Sequence, residues 1–164
     1  MVNKKFGLGI LVLVLVFGMM VIACSDGNGD SADPALNGNW IDEDGVILAL
    51  NDGNFTARFG GSDIMRGSYT TSGRNLTITV SQIHTNFLAL DLEIDPSYLD
   101  LFGIPQGWYN RTELLDLFND LIGEDEETIE VINALFAPMT GTYDITGGVL
   151  SMTVDGETTT YTRQ

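Results

Sequence analysis

Reactive side chains are scarce in this sequence. Among its 164 residues there is one cysteine, Cys24, and one histidine, His84. A single cysteine excludes an intrachain disulfide, so the fold depends on its packed core. A lone histidine without a Ser-His-Asp spacing leaves no candidate set for nucleophilic catalysis. We therefore predict a protein that is not an enzyme, with no cofactor and with His84 on the surface or at a rim; the alternative is a His84 that contacts a ligand.

Positive charge is also sparse. Seven Lys and Arg residues stand against 23 Asp and Glu residues, which gives a formal net charge of −16. A surface of this charge repels the phosphate backbone, so nucleic-acid binding is excluded as a function class.

The longest apolar run lies at the N-terminus. Lys4 and Lys5 precede an uninterrupted apolar stretch over residues 6–23, the pattern of a secretory signal. The stretch ends in Val21-Ile22-Ala23-Cys24, which resembles the lipobox of bacterial lipoproteins. By that resemblance, residues 1–23 are a cleaved signal peptide and Cys24 becomes the lipidated first residue. An uncleaved membrane-spanning anchor is the alternative, because the run is just long enough to span.

The lipobox resemblance implies a place in the cell. We expect a lipid-anchored protein of the cell envelope on the periplasmic or outer-surface side, with the outer membrane favoured because Ser25 follows the cysteine. Without residues 1–23 no lysine remains, and five cations face 23 acids, a net charge of −18. Such a surface repels anionic head groups, so the acyl chains must provide the attachment. The five cations are Arg58, Arg66, Arg74, Arg111 and Arg163.

A polar, glycine-rich segment follows the cysteine. Residues 24–36 are predicted to be the lipidated cysteine and a flexible tether. Asp26, Asn28 and Asp30 have the spacing of the first half of a calcium loop. The second half fails, because Ser31 stands where glycine is needed and Asn37 where the bidentate glutamate belongs.

Residues 37–164 alternate short apolar strands with turns that tolerate positive φ. Eight sequential strands favour a mainly β fold, an eight-stranded up-and-down antiparallel barrel, because closure removes exposed edges. An open meander packed on helices is the alternative. Residues 87–94 alternate as a strand would, so the fifth strand is longer or a ninth exists. The predicted strands are 38–42, 46–50, 54–60, 64–71, 75–84, 140–146, 149–154 and 158–163.

A helical insert over residues 95–137 interrupts these strands between the fifth and the sixth. Asp95-Pro96 is typical of a helix start, and Gly103 and Pro105 end that helix. Asn110 and Glu113 predict a capping box for a second helix that ends at Gly123. Asp125 begins a third.

The chain resembles the lipocalin-like family of the calycin barrels in its small bacterial lipoprotein form. The resemblance rests on Gly38-Asn39-Trp40, a G-x-W on the first strand, and on Arg163 on the last. It implies that Trp40 closes one end of the barrel and that Arg163 lies across its ring. It also makes the ligand classes of that family candidates for this chain.

Strand parity places the insert at the barrel end opposite the tether, together with three acidic turns. A binding site between barrel and helices would be lined by Phe59, Met65, Val80, Gln82, Trp108, Phe118 and Phe136. In the alternative, side chains fill the barrel completely. The rim acids are predicted to be solvated, with a calcium site as the alternative; they are Asp42, Glu43, Asp44, Asp63, Asp155 and Glu157.

Two functions remain open. The leading hypothesis is non-catalytic binding of a small apolar ligand in the capped barrel. The alternative is a protein-interaction module that meets an envelope or host protein through the insert. Trp108 and Tyr109 are either core side chains or part of such a contact surface.

Overall fold

The computed structural model describes residues 31–91, 94–123 and 125–164. Eight of its strands form one closed ring in which every neighbouring pair is antiparallel. Around the ring the order is β1-β2-β3-β4-β5-β7-β8-β9, and β9 returns to β1. The strands are β1 Gly38–Ile41, β2 Ile47–Asn51, β3 Asn54–Phe59, β4 Ser62–Ser72, β5 Asn75–His84, β6 Trp108–Tyr109, β7 Met139–Thr146, β8 Val149–Val154 and β9 Glu157–Arg163.

The ring confirms the predicted eight-stranded up-and-down barrel, and the open meander is wrong. Each of the eight strands lies within two residues of its predicted bounds. The turn residues explain this agreement. Asp52, Gly53, Gly73 and Asp155 all adopt positive φ in the hairpins that the sequence indicates.

The end of the barrel where the chain enters is closed by the segment before β1. Pro34–Leu36 form a 3₁₀ helix, and Leu36 has no exposed surface. The ring nitrogen of Trp40 donates to the carbonyl oxygen of Leu36 at 2.7 Å. Ser31 bridges to Thr71, whose amide and hydroxyl both donate to the Ser31 carbonyl. The predicted tether extended to residue 36, whereas the structure shows residues 31–36 bonded to the barrel.

The family likeness predicted a contact between Trp40 and Arg163, and the structure contains it. The two residues are cross-strand partners in β1 and β9. The Arg163 guanidinium lies 4.6 Å from the centre of the Trp40 ring. The same guanidinium donates to the carbonyls of Ala35 and Asn37, each at 2.9 Å. The arginine therefore joins the first strand, the last strand and the 3₁₀ helix.

The insert begins earlier than the sequence suggested. The alternation over residues 87–94 predicts a strand, but Thr85–Asp91 form helix α1. Thr85, Leu88 and Ala89 are buried and have the i, i+3, i+4 spacing of a helix, while Leu90 is 42% exposed. Residues 92 and 93 lie outside the described residues. The additional strand is instead β6, which pairs with the end of β5.

The remaining helices of the insert begin and end where their capping residues predict. A 3₁₀ helix spans Pro96–Phe102, α2 spans Arg111–Ile122 and α3 spans Glu126–Phe136. Both hydrogen bonds of the capping box between Asn110 and Glu113 are present. Gly123 follows α2 with φ of 81°. Residues 85–137 are called the helical insert below.

The helical insert and the barrel share one hydrophobic core. Leu99, Leu114 and Ile132 of the insert are each at most 3% exposed. They belong to the same buried cluster as Trp40 and Leu150 of the barrel. The insert therefore completes the core at the far end of the barrel and does not merely rest on it. Within the described residues, no helix is long and apolar enough to span a bilayer.

Candidate functional site

The seven residues predicted to line a ligand site divide into two groups. Val80 is buried in the core, and four others pack against that core as half-buried side chains: Phe59, Met65, Phe118 and Phe136. Gln82 and Trp108 instead belong to a different cluster, which Arg66 holds together. The structure therefore does not bring all seven around one site.

A β-bulge separates Val80 from Gln82. Gly67 pairs with Val80 and Arg66 pairs with Gln82, so Ser81 has no cross-strand partner. The extra residue shifts the alternation by one, so Gln82 shares the face of the exposed Arg66. The alternation in the sequence predicts Val80 and Gln82 on the same face of the strand. That prediction is wrong because the alternation alone does not reveal a bulge residue.

The second cluster lies at the end of β5 beside β6. Arg66 donates to Oε1 of Gln82 through Nε at 2.8 Å, and its guanidinium lies 4.2 Å from the centre of the Trp108 ring. His84 meets the same ring edge-on at 5.1 Å. Nδ1 of His84 accepts from the amide of Asn86 at 3.1 Å. His84 is thus half-buried at the rim, as predicted, and it contacts Trp108 and Asn86.

Buried side chains occupy the junction of barrel and insert. Ile83, Phe87, Leu99, Ile104 and Leu114 are each at most 9% exposed. These residues come from β5, α1, the 3₁₀ helix, the loop after it and α2. The protein's own side chains therefore fill this junction.

A groove of about 190 Å³ lies between α2 and α3. Leu115, Phe118, Ile129 and Ile132 provide its apolar surface, and Asp116 and Asn119 are among its polar residues. Of the seven predicted lining residues, only Phe118 contributes to this groove. Drug-sized ligands usually occupy about 300–1,000 Å³, so this groove suits a smaller group.

The exposed apolar side chains are distributed unevenly. Every large hydrophobic residue that the described part of the chain exposes belongs to the helical insert, and the barrel strands expose none. Leu101 is 78% exposed, Phe102 59% and Ile122 60%. The seven residues are Leu90, Tyr98, Leu101, Phe102, Leu121, Ile122 and Ile129.

Four of these residues flank a contact between the 3₁₀ helix and α2. A Cβ atom added to Gly103 would lie 3.6 Å from Cδ2 of Leu121, so the end of the 3₁₀ helix touches the end of α2. Leu101 and Phe102 precede Gly103, and Ile122 follows Leu121. We call Leu101, Phe102, Leu121 and Ile122 the apolar patch. Large exposed apolar surfaces of soluble proteins mark interaction sites.

Carboxylates stand near the residues of the apolar patch in the sequence. Asp100 precedes Leu101, Asp120 precedes Leu121, and Asp116 lies one helical turn before Asp120; all three are exposed. The pKa of Tyr109 is raised first by burial of its hydroxyl and then by the negative charges of Glu113 and Asp100.

The apolar patch escaped the sequence analysis, although a pattern for it exists. Leu99, Leu101 and Phe102 are three large apolar residues on less than two turns of a short helix. Only Leu99 is buried. Because a helix that lies on a core buries one side, three such residues cannot all face inward.

Two of the predicted rim acids have partners close by in the chain. Asp42 accepts from the amides of Asp44 and Val46 within its own turn, and Asp63 pairs with Arg58 at 2.7 Å. Among the described residues there is no group of three or more His, Cys, Asp or Glu side chains that could hold a metal ion. The half calcium loop at Asp26, Asn28 and Asp30 lies outside the described residues.

Comparison with protein families, curated proteins and solved structures finds no match for this chain. The closed eight-stranded antiparallel barrel is consistent with a calycin-like fold.

Proposed function

We propose that this chain is a lipid-anchored lipoprotein of the cell envelope, of the lipocalin-like class, whose helical insert docks another protein. The observation that carries the proposal is the segregation of exposed apolar surface. The barrel strands expose no large hydrophobic side chain among the described residues, while the insert exposes seven. A fold that buries Leu36 and Trp40 completely at one end exposes Leu101 and Phe102 elsewhere, and such exposure is typical of an interaction site.

The position of the insert supports docking away from the anchor. Strand parity puts the insert and the segment before β1 at opposite ends of the barrel. Ser31, which is bonded to Thr71, lies seven positions after Cys24 in the chain. Even fully extended, seven residues reach only about 25 Å. A lipid on Cys24 would therefore hold the tether end of the barrel close to the membrane, with the insert on the far side.

The anchor is tested separately from the docking surface. Cells that make the full chain would be fed an alkyne-tagged fatty acid, and the purified protein would be examined for the tag and for the mass of its N-terminus. We expect the tag on the native chain and not on the Cys24→Ser variant. A tag that persists in the variant, or an unlabelled native chain that keeps residues 1–23, would refute the lipoprotein assignment.

Docking is tested by site-specific photo-crosslinking in the same cells. A photoreactive amino acid would replace Leu101 in the apolar patch, and Arg74 in the exposed turn between β4 and β5 in a matched control. We expect a discrete adduct from position 101 and none from position 74. Equal adducts from both positions, or none from either, would count against a docking surface on the insert.

Binding of a small apolar ligand is the second candidate. The groove between α2 and α3 favours it, because apolar side chains flank a few polar groups there. The full chain would be extracted with organic solvent and the extract analysed by mass spectrometry. Phe118→Trp, which fills the groove, should remove a bound compound, while Phe136→Trp, outside the groove lining, should retain it. An extract without any ligand, together with no thermal shift from fatty acids, would reject this candidate.

A further inference from the structure

The barrel closes through a short pairing of β1 with β9, and this pairing leaves part of β9 without a neighbour. The two strands share only two cross-strand pairs, and the second of these joins Ile41 to Thr162. β9 extends on to Glu157, whereas β1 ends at Ile41. Among the described residues, the first five residues of β9 therefore pair with β8 on one side and with no strand on the other.

Two hydrogen bonds at the end of β9 show which of its main-chain groups face this unpaired side. The amide of Arg163 donates at 3.0 Å to the carbonyl of Gly148, on the β8 side. The amide of Gln164 donates at 2.9 Å to the carbonyl of Asn39, on the β1 side. Because successive residues of a strand direct their main-chain groups to opposite edges, the even-numbered residues of β9 face β1.

Thr158 and Thr160 are the even-numbered residues of β9 that lie beyond the end of β1. The turn after β1 does not bond to them: the amide of Asp42 donates to Val46, and the amide of Gly45 donates to Asp42. No main-chain hydrogen bond among the described residues joins this turn to β9. The N–H and C=O groups of both threonines are therefore free to bond to another chain. We call residues 157–161 the open edge.

The open edge is uncovered on both faces. Thr158, Thr159 and Thr160 are all exposed, although alternate residues of a barrel strand point inward. The cross-strand partner of Thr159 is Met152, which is only 8% exposed. Proline, lysine and bulges protect many natural edge strands against pairing. Residues 157–161 contain no proline and no lysine, and their register with β8 has no bulge.

Negative charge acts on both ends of the open edge. Glu157 is its first residue and is exposed. At the other end, burial and then the charge of Asp42 raise the pKa of Tyr161 to about 12, so the Asp42 carboxylate is near enough to act on β9. The three residues between Glu157 and Tyr161 are uncharged threonines. A strand that pairs here therefore meets neutral side chains at its centre and carboxylates at its ends.

A second copy of this chain does not suit the open edge. Antiparallel pairing of two such edges would oppose Thr158 of one copy to Thr160 of the other, with a twofold axis at Thr159. That axis is perpendicular to the strands, so the tether ends of the two barrels would point in opposite directions. Two copies held by Cys24 in one membrane, as proposed above, do not meet in this orientation. Each copy also has a net charge of −16 or lower, which opposes association.

We propose that an extended segment of a protein partner pairs with the open edge at Thr158 and Thr160, and that a Lys or Arg of this segment lies opposite Glu157. An added strand gains affinity from main-chain hydrogen bonds and specificity from alternate side chains. Threonine favours threonine and other β-branched residues across a strand pair, and a carboxylate favours a cation. The site includes no residue of the helical insert, so it does not depend on docking by the apolar patch. The choice of partner rests in part on the proposed lipid anchor.

The test uses the full chain in zwitterionic lipid nanodiscs and three fluorescent peptide probes of equal length. All three share a core of threonine and valine; the first has lysine at both ends of the core and the second has glutamate there. The third is the lysine peptide with N-methylated amides throughout the core, which cannot donate to a strand. By fluorescence anisotropy, we expect the lysine peptide to bind at least about tenfold more tightly than the glutamate peptide, and the methylated peptide not to bind.

Paired variants locate the binding site. Thr160→Pro removes an N–H that faces the open side and leaves the ladder with β8 intact, so it should abolish binding of the lysine peptide. Thr160→Val keeps the main chain and should bind normally. Glu157→Gln should remove the preference for lysine, whereas Glu130→Gln, an exposed carboxylate of α3, should preserve it. Urea unfolding checks that Thr160→Pro is folded, and the methylated probe makes the same test if it is not.

The outcomes separate this proposal from docking by the insert. Binding of the methylated peptide, or an equal loss in Thr160→Val and Thr160→Pro, would refute strand pairing. Equal binding of the lysine and glutamate peptides, still blocked by Thr160→Pro, would refute only the basic partner. A dimer of this chain that Thr160→Pro dissociates would replace the partner by a second copy. Leu101→Ser with Phe102→Ser should leave peptide binding unchanged, so a failure of the apolar patch is visible independently.

Discussion

The hydroxyl of Tyr143 donates a hydrogen bond of 2.7 Å to Oδ2 of Asp33, although 110 residues separate the two in the chain. Oδ1 of the same carboxylate accepts from the amide of Ala35. The hydrogen bond from Tyr143 holds the pKa of Asp33 below its ordinary value, and the Ala35 amide contributes in the same direction. The pair therefore joins the segment before β1 to the far side of the ring, on β7.

Removal of this bond should loosen the closed end of the barrel. Tyr143→Phe deletes the donor and leaves the Asp33 carboxylate with one partner fewer, which should lower the free energy of unfolding by about 1–2 kcal/mol. Urea unfolding followed by fluorescence measures the change. Tyr98→Phe is the matched control because Tyr98 is 55% exposed, and it should be neutral. Equal stability of the two variants would contradict the role of the bond.

Alkaline pH should destabilise the fold. Burial, followed by the hydrogen bond to Asp33, raises the pKa of Tyr143 from 10.0 to about 12, and burial with the nearby Asp42 raises that of Tyr161 to about 12. Between these values the unfolded chain releases protons that the folded chain retains. Stability is thus fully present below pH 10 and declines as the pH rises toward about 12. The urea concentration at the midpoint of unfolding should fall as the pH rises across this range. The fall should be less steep in Tyr143→Phe, which lacks one of the two tyrosine hydroxyls.

Arg163 should not be replaceable by lysine. Its planar guanidinium lies over the Trp40 ring and donates from Nη2 to two backbone carbonyls, a geometry that an ammonium group cannot reproduce. Arg163→Lys should cost about 1–2 kcal/mol in urea unfolding. Arg74→Lys is the control, because Arg74 makes an exposed ion pair with Asp144. A loss as large in the Arg74 variant would refute a special role for Arg163.

Gly67 should be intolerant of any side chain. It is the cross-strand partner of Phe55, and an added Cβ would lie 2.7 Å from Cε1 of Phe55 and closer still to the Thr79 carbonyl. Gly67→Ala should therefore destabilise the barrel by about 2–3 kcal/mol, as overpacking does. At Gly107 the nearest atom would be 4.0 Å away, so Gly107→Ala should be close to neutral. Thermal unfolding of both variants tests this difference.

The insert should unfold together with the barrel. Leu114 of α2 is 1% exposed and lies in the common core, so Leu114→Ala should cost about 2–5 kcal/mol. Leu121→Ala, at 40% exposure, should cost much less. Hydrogen exchange of Leu114→Ala would show whether the amides of β5 lose protection together with the amides of α2. Loss confined to the insert would mean that the helices form a separate unit.

Local chemistry predicted much of the fold. Three local features of the sequence are present in the structure: turn residues with positive φ, strands with alternating side chains and the capping pair Asn110–Glu113. Each of them depends only on residues that are neighbours in the chain. The sequence does not predict helix α1, because Leu88 and Leu90 alternate with other residues as in a strand. Thr85, Leu88 and Ala89 also have the spacing of one helix face, but only the structure shows that these three residues are the buried ones.

The number and order of the barrel strands, the place of the insert and the excess of negative charge follow from the period of a strand, from turn chemistry and from composition, all of which the sequence contains. The Trp40–Arg163 pair was expected from the family resemblance alone, and the structure contains it. Which other side chains meet depends on the tertiary structure. The bulge at Ser81 separates Gln82 from Val80, and the end of the 3₁₀ helix at Gly103 lies against Leu121 of α2. Packing between elements distant in the chain sets such contacts, and no short-range pattern records them.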